Sequence, residues 1–363
     1  MSLADLPDLL PSFASRDAAD PDRYPAENIA DLFAAGILAA PFSPALGGEG
    51  AALVEAAMAI EALASVSGST ALIASMPLGM AAVFMAGAKL VPDAQRAACV
   101  AQVERASSDY AASRLYAACN SEKGAGGALT SITTKVTGSP AEGWQMTGEK
   151  ILASGGVNAH TFFSTAKVPV GEVEFFLVPV RAKGVEVLSD WDGFGMRSTE
   201  SQTVRYREAP AELLGFPGFI NTLQPTNYWF CLFAAIPLGC ARAMLQALAT
   251  PAPASPVIRL RLAEATMRYE ALRAYLRETA GEWQGGGSLA LRMKVLRMKT
   301  YVSQESTKLA AELFALGGGR HYRRNDAFAR AFADSFAGTA LRPPLQLGLE
   351  TLVEQFEVLS SAL

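Results

Sequence analysis

The hydrophobic pattern of this sequence changes its period twice, which divides the chain into three parts. Residues 1–105 and 214–363 carry apolar residues at helical spacing, whereas residues 106–213 alternate β-branched or aromatic residues with polar ones. Short strands without helices between them favour an antiparallel barrel or sandwich. We therefore predict an α+β multidomain protein: an N-terminal α-helical domain (1–105), a central antiparallel β-barrel or sandwich domain (106–213) and a C-terminal α-helical domain (214–363) that resembles a four-helix bundle.

Composition narrows the class of protein. The chain has 363 residues, 50% of them hydrophobic, and a formal net charge of −4, so it lacks the basic character of nucleic-acid-binding proteins. Polar or charged residues interrupt every long apolar run, so we expect no membrane partner. Four scattered cysteines and the absence of a basic leader favour a cytoplasmic protein. The two histidines, His160 and His321, do not have metal-ligand spacing, so we expect no metal.

Two segments of the central part have the residues that a flat cofactor needs. Residues 121–127 form a glycine-rich turn, and residues 148–154 form a strand that ends in Ser154. Glycines permit positive φ and lack the Cβ atoms that would block a phosphate. The hydroxyls of Ser121 and Ser154 could contact the polar edge of a ring system. Taken alone, the glycine turn is more typical of an ordinary β-turn.

The order of these motifs resembles that of the acyl-CoA dehydrogenase family of FAD-dependent flavoproteins. Residues 121–128 are similar to its Thr-Glu-Pro-Gly-x-Gly-Ser-Asp turn, and residues 148–154 to its Gly-x-Lys-x-Trp-Ile-Thr strand. Residues 35–50 and 195–201 are similar to its N-terminal glycine pattern and its Gly-Met-Arg-x-Thr-x-Ser element. The resemblance implies a homodimer or homotetramer that binds FAD. The FAD-binding residues it implies are Asn120, Ser121, Gly126, Gly127, Ala153, Ser154, Gly318 and Gly319.

In that family a glutamate removes the α-proton of an acyl-CoA and a hydride passes to the flavin. The resemblance therefore implies an acyl-CoA-like substrate, with an electron-transfer flavoprotein or an external flavin reductase as a partner. The usual Glu-Gly-Thr is replaced here by Ala337-Gly338-Thr339, and the alternative position of the base falls around Tyr228-Trp229-Phe230. Neither site has a carboxylate, so the catalytic residue is unknown.

Other departures point to a divergent branch of the family. Leu152 replaces the tryptophan of the strand, and Gly127-Ala128 replaces the Ser-Asp of the turn. Residues 317–344 resemble a branch that is related to flavin monooxygenases, which need no α-proton base. Three hypotheses stay open: an FAD-dependent oxidoreductase that acts by hydride transfer, a flavin-dependent monooxygenase, and a catalytically degenerate acyl-CoA-binding or partner subunit.

Several further side chains have two interpretations each. For Arg197 we favour a structural role in a turn, and for Trp191 and Phe194 a place in the core. Helical spacing predicts that Asp334 pairs with Arg330. Arg320, Arg323 and Arg324 are candidates either for phosphate contact or for a solvated helix end. His321, which lies between them in the sequence, is a candidate base.

Overall fold

The computed structural model describes residues 2–250 and 252–356. Five helices precede the strands, as the N-terminal periodicity predicts. Ser67 caps the longest of them by accepting a hydrogen bond from the backbone N–H of Thr70. These helices are α1 (Leu6–Ala19), α2 (Ala26–Ala34), α3 (Leu53–Ala64), α4 (Gly68–Leu90) and α5 (Arg96–Ala111).

The strands of the central part form a small barrel. They are β1 (Tyr116–Ala118), β2 (Lys135–Ser139), β3 (Gly143–Ala153), β4 (Thr161–Lys167), β5 (Val173–Pro179), β6 (Val185–Val187) and β7 (Gln202–Leu213). Strands β4, β2, β3, β7 and β5 pair in that order, and β5 pairs again with β4, which closes the ring. A tight turn at 139–143 joins β2 and β3, with Ser139 opposite Gly143. Most pairs are antiparallel, but β1 and β2 each run parallel to β4.

Adjacent residues of β4 and β5 point into different cores, because successive side chains of a strand face opposite sides. Phe162 and Phe176 pack inside the barrel, whereas Phe163 and Phe175 pack against the helices. The barrel therefore presents an aromatic outer face to the helical parts of the chain.

The C-terminal part is helical, as predicted, and its third long helix ends at the Gly317–Gly319 run. Helix α7 packs against α9, α3 and α4, so it joins the two helical parts of the molecule. The helices are α6 (Phe219–Leu223), α7 (Thr226–Ala249), α8 (Pro256–Glu282), α9 (Leu289–Gly317), α10 (Ala327–Ser335), α11 (Ala337–Ala340) and α12 (Leu345–Glu354).

Helices α4 and α7 are long and apolar enough to cross a membrane. Most of each helix is buried inside the protein, which is typical of core helices. All four cysteines are also buried, and none forms a disulfide.

Candidate functional site

A cavity of about 290 Å³ lies where the barrel meets α4, α7, α10 and α11. Its walls are largely apolar, and Phe163 stacks on Trp229 with ring centroids 4.8 Å apart. An apolar chamber with flat walls suits a planar ring system. The aromatic residues that line it are Phe163, Phe175, Trp191, Phe194, Trp229, Phe230, Phe233 and Phe336.

Asn120, Ser121 and Ser154 line the same cavity, so the structure brings these three predicted residues together. The backbone N–H of Ile151 donates to the carbonyl of Ser121 at 2.8 Å, which ties the glycine-rich turn to β3. Ser201 also lines the cavity, and its hydroxyl lies 2.9 Å from that of Ser154. The sequence motif at 195–201 includes Ser201, but its spacing alone does not indicate this contact.

A chain of hydroxyl groups fixes the direction in which Ser154 donates. Thr199 Oγ1 donates to the carbonyl of Met196 at 2.8 Å, and it lies 2.6 Å from Ser201 Oγ. Because each hydroxyl has one proton and a carbonyl only accepts, Ser201 must donate to Thr199 and Ser154 to Ser201. Ser154 is therefore left with an acceptor lone pair for a ligand in the cavity.

A buried ion pair holds the two predicted cofactor segments together. Lys150 Nζ lies 2.6 Å from Glu122 Oε1, and both side chains are almost fully buried. Glu122 also accepts hydrogen bonds from the backbone N–H groups of Thr133 and Thr134. Burial opposes the ionisation of Glu122, but the bonds from Lys150 and Thr133 outweigh it and lower its pKa to about 2.

A β-bulge directs Leu152 into the cavity. The register of β3 against β7 shifts between Lys150 and Ala153, and Leu152 adopts a φ of 59°. This left-handed conformation is unfavourable for a leucine, and it turns the half-exposed side chain toward the cavity. The bulge thus places Leu152 and Ser154 on the same wall.

Both positions at which the resemblance predicts a base lie in the cavity wall. Ala337 lines the cavity from α11, and Trp229 and Phe230 line it from α7. Within residues 2–250 and 252–356, the lining contains no carboxylate, imidazole or amine. The cavity therefore has no described group that could remove an α-proton.

Arg342 is the one ionisable residue among those described in the lining, and the sequence analysis missed it. Its Nη2 donates to the carbonyl of Asn120 at 2.8 Å, and burial lowers its pKa to about 10. Among the described residues, no hydrogen-bond partner contacts Arg342 Nε or Asn120 Oδ1, although both atoms are buried. These two buried polar atoms therefore remain unsatisfied in the described part of the chain.

Lys299 holds the segment that carries Arg342. Its buried Nζ donates to the carbonyls of Gly338, Leu341 and Pro343, at 3.1, 2.6 and 2.5 Å. Two of these carbonyls flank Arg342 directly in the chain. Burial lowers the pKa of Lys299 to about 7, while the three carbonyl acceptors favour its charged form.

The other predicted cofactor residues lie outside the cavity lining. Gly126 and Gly127 adopt φ values of 58° and 85°, as a glycine-dependent turn requires, and a Cβ on Gly127 would lie 2.5 Å from Pro344. Ala153 is buried in β3. Gly318 and Gly319 follow the end of α9 and are separate from the serine-lined part of the cavity.

The predicted pairing of Asp334 with Arg330 is wrong. Asp334 accepts a hydrogen bond from the backbone N–H of Met196 at 2.6 Å, and Arg330 forms an ion pair with Asp17 at 2.8 Å. Burial raises the pKa of Asp334 to about 7. Partners distant in sequence have displaced the local one, because both side chains face the interface between α10 and the N-terminal part.

The core interpretation of Phe194 is also wrong. Its side chain is 73% exposed and lies edge-on to Phe336 at the cavity, while Trp191 is partly buried there. Phe194 also lines a second cavity of about 710 Å³, which is more polar and includes Arg323 and Arg324. Phe194 therefore lies between the two cavities.

Arg197 has the structural role that we favoured. Its guanidinium contacts Asp22 at 2.5 Å, the carbonyl of Arg324 at 3.0 Å and Asn325 Oδ1 at 3.1 Å.

His321 stacks on the ring of Phe328. In the described part of the chain, no group of three or more histidine, cysteine or acidic side chains converges to hold a metal ion.

Three protein-family models match consecutive stretches of the chain. The N-terminal domain of acyl-CoA dehydrogenase matches residues 8–104, the middle domain matches residues 117–209, and the C-terminal domain matches residues 231–341.

Two curated proteins are similar in sequence. L-evernosamine nitrososynthase of a Micromonospora strain is 31% identical over 209 residues, which cover 54% of this chain and 46% of the relative. Probable acyl-CoA dehydrogenase YngJ of Bacillus subtilis is 22% identical over 334 residues, which cover 86% of this chain and 84% of the relative. The match to the nitrososynthase thus spans less than half of that relative.

Solved structures share the fold over nearly the whole chain. FMN-bound TdsC, a dibenzothiophene monooxygenase of Paenibacillus sp. A11-2, superposes with a TM-score of 0.82 at 20% identity, covering 98% of this chain and 96% of that one. Butyryl-CoA dehydrogenase of Megasphaera elsdenii gives a TM-score of 0.83 at 19% identity, with 98% and 97% covered. At identities of 20% and 19%, these two structures show that the chain has the same fold and no more than that.

Proposed function

Because the chain belongs to the acyl-CoA dehydrogenase family, we propose that it acts as a flavin-dependent monooxygenase on a small apolar substrate. The observation that carries this proposal is the composition of the cavity wall, where Ala337, Trp229 and Phe230 lie and no described residue is a carboxylate. The resemblance predicts a base at these positions. Dehydrogenation of a thioester needs a base within hydrogen-bond reach of the α-proton. Oxygenation of an apolar ring has no such requirement.

The residues of the cavity fit a flavin ring. Aromatic walls suit a flat ring system, while Asn120, Ser121, Ser154 and Arg342 would supply polar groups at one edge. The neighbouring TdsC structure contains FMN. The family resemblance implies FAD, so FMN and FAD are both candidates for this site.

The chain itself would bind the flavin, orient the substrate and exclude water. A bound reduced flavin would supply the electrons that activate dioxygen. Phe163, Phe175 and Trp229 would hold an apolar substrate against the ring and keep bulk water away from the reacting atoms. Ser154 would accept a hydrogen bond at the polar edge, with its direction fixed by Ser201 and Thr199.

The test uses the purified chain with chemically reduced FMN or FAD, ¹⁸O-labelled dioxygen and a panel of aromatic compounds that includes indole. We expect substrate-dependent incorporation of ¹⁸O, measured by mass spectrometry of the product. A parallel anaerobic titration with acyl-CoA thioesters should leave bound oxidised flavin unreduced.

Bleaching of the flavin by a thioester would overturn the proposal in favour of dehydrogenation. A chain that takes up neither reduced nor oxidised flavin would overturn it in favour of a degenerate binding subunit. A matched variant, Ser154→Ala, should lower the yield of labelled product, because it removes the acceptor at the polar edge.

A further inference from the structure

We propose that residues 192–196 form a gate between the two cavities, so that the second cavity is the route by which a substrate reaches the first, and that Asp334 positions this gate. The inference rests on the proposed function in one respect, because it takes the substrate to be a small apolar molecule. It gives a role to a carboxyl group that the proposed reaction does not use.

The two cavities meet at very few side chains. Among the described residues, only Phe194 and Ala333 line both of them. Ala333 belongs to α10, whereas Phe194 lies on the loop between β6 and β7 and is largely exposed. The Phe194 ring lies edge-on to Phe336, with centroids 6.3 Å apart. A side chain with so little burial turns aside without unpacking a core, so Phe194 is suited to be the moving part.

The gate is seated on α10 by one hydrogen bond and one close backbone contact. Asp334 Oδ1 accepts from the backbone N–H of Met196 at 2.6 Å. Gly195 lies so close to α10 that a Cβ there would stand 2.6 Å from the carbonyl oxygen of Ala333. Met196 has a φ of 52°, which is unfavourable for methionine and persists only where the surroundings hold it. Asp334 thus helps to hold a strained residue at one end of the gate.

The next residue of the loop limits how far the motion extends. Arg197 is fixed by its contacts with Asp22 and with Asn325. The end of the gate therefore lies at Met196, where the strained backbone meets the fixed arginine.

The neighbours of Asp334 act on its charge in both directions. Burial is the largest influence and raises the pKa of Asp334 to about 7. Two nearby cations favour the ionised form, one carboxylate opposes it, and a thiol of α7 stays neutral because burial raises its pKa. These groups are Arg197 of the barrel loop, Arg330 of α10, Asp17 of α1 and Cys240 of α7. The first residue of α4, Gly68, packs against the carboxyl group and brings no charge.

Closing of the gate and protonation of Asp334 favour each other. Opening lets water reach the carboxyl group, so its pKa falls toward the ordinary range of an aspartate. The closed gate therefore binds the proton more tightly than the open gate does. As the pH rises from about 4 to about 7 the closed gate loses this advantage, and above that range the loss is complete.

The experiment measures how readily a small neutral molecule enters the first cavity. Trp229 is a buried reporter in the wall of that cavity, and acrylamide quenches its fluorescence only on entering. The difference in quenching between the unaltered chain and Trp229→Phe isolates this residue. We expect its quenching constant to rise about tenfold or more from pH 5 to pH 8, since each unit of pKa difference changes the opening equilibrium tenfold.

Three variants separate the parts of the gate. Asp334→Asn keeps an oxygen that accepts the Met196 N–H but takes up no proton, so quenching should stay low at both pH values. Asp192→Asn removes an exposed carboxylate of the gate itself and should keep the rise. Gly195→Ala pushes the gate away from the α10 backbone, so quenching should already be strong at pH 5. This last variant keeps the proposal testable if Asp334→Asn does not fold.

The proposal would be overturned by equal quenching at pH 5 and pH 8 in the unaltered chain, or by weak quenching of Gly195→Ala at pH 5. A rise that persists in Asp334→Asn would also overturn it and would assign the pH dependence to Lys299, whose pKa burial lowers to about 7. The measurement needs neither flavin nor dioxygen. A failure to incorporate ¹⁸O would therefore overturn the proposed function and leave the gate in place.

Discussion

Single residues hold the two sides of the cavity together. Lys150 lies in β3, and Glu122 lies in the turn that follows β1, so their contact joins segments 28 residues apart. The Glu122 carboxylate is satisfied on both oxygens by Lys150 and by backbone N–H groups. A buried charge of this kind depends on its partner, because it has no access to water.

We predict that Lys150→Met lowers the free energy of unfolding by about 3 to 5 kcal/mol, because it leaves Glu122 buried without its cation. Chemical denaturation followed by circular dichroism measures this loss. The same variant should bind flavin more weakly, since the turn at 121–127 loses its side-chain contact with β3.

The neighbouring residue of the same strand supplies the control. Glu149 forms an ion pair with Arg205 at 2.7 Å, but both side chains are exposed by more than a third. Glu149→Gln should therefore leave the denaturation midpoint nearly unchanged. If both variants lost the same stability, the buried pair would have no special role.

At the scale of single residues, the sequence predicts which residues form the site better than it predicts which contacts each side chain makes. Asn120, Ser121 and Ser154 were found because their motifs carry them, whereas Arg342 has no signal besides its place before Pro343. Asp334 and Arg330 have the spacing of a helical ion pair, yet each contacts a residue from another part of the chain. Such contacts depend on how helices pack, which local spacing does not encode.

Among the elements, α3 and α7 make a notably close contact. A Cβ placed on Gly239 of α7 would lie 2.3 Å from the backbone carbonyl oxygen of Glu61 in α3. Backbone atoms cannot move aside as a flexible side chain can. The distance between these helices, and with it the position of Trp229 and Phe230 in the cavity, therefore depends on this glycine.

We predict that Gly239→Ala destabilises the protein by about 1 to 3 kcal/mol, since the added methyl group forces the helices apart. Gly281→Ala is the matched control: it lies in α8, and a Cβ there would meet no atom within 4 Å. That substitution should raise stability by about 0.5 to 1 kcal/mol, because alanine favours the helix. Thermal denaturation of both variants distinguishes a steric effect from helix propensity.

The elements themselves follow from the periodicity of the sequence. Helix α9 lies in the part of the chain with helical spacing, and β5 lies in the part with alternating residues. The bulge at Leu152 could not be predicted, because its leucine has no preference for positive φ. A bulge of this kind is set by pairing with β7, which brings Ser154 to the cavity.

On the scale of the whole molecule, Arg197 connects three distant segments. It contacts Asp22 near the end of α1 and two residues of the loop before α10. Its side chain is only 10% exposed, although its partner Asp22 is about half-exposed. The barrel loop that carries Arg197 is thereby fixed to both helical parts.

We predict that Arg197→Met lowers the free energy of unfolding by about 1 to 3 kcal/mol, because several hydrogen bonds of one largely buried guanidinium are lost together. Arg207→Met, which removes an exposed arginine paired with Glu186, should have a smaller effect. Urea denaturation compares the two. Equal effects would mean that Arg197 acts only as a surface charge.

The closed ring of the barrel also bears on how the protein behaves at high concentration. Open edge strands are templates for pairing between molecules, and long flat edges promote aggregation. Here the strands attached outside the ring, β1 and β6, are each only three residues long, and β1 is packed against α4. In the described part of the barrel, intermolecular strand addition therefore has only short segments on which to begin.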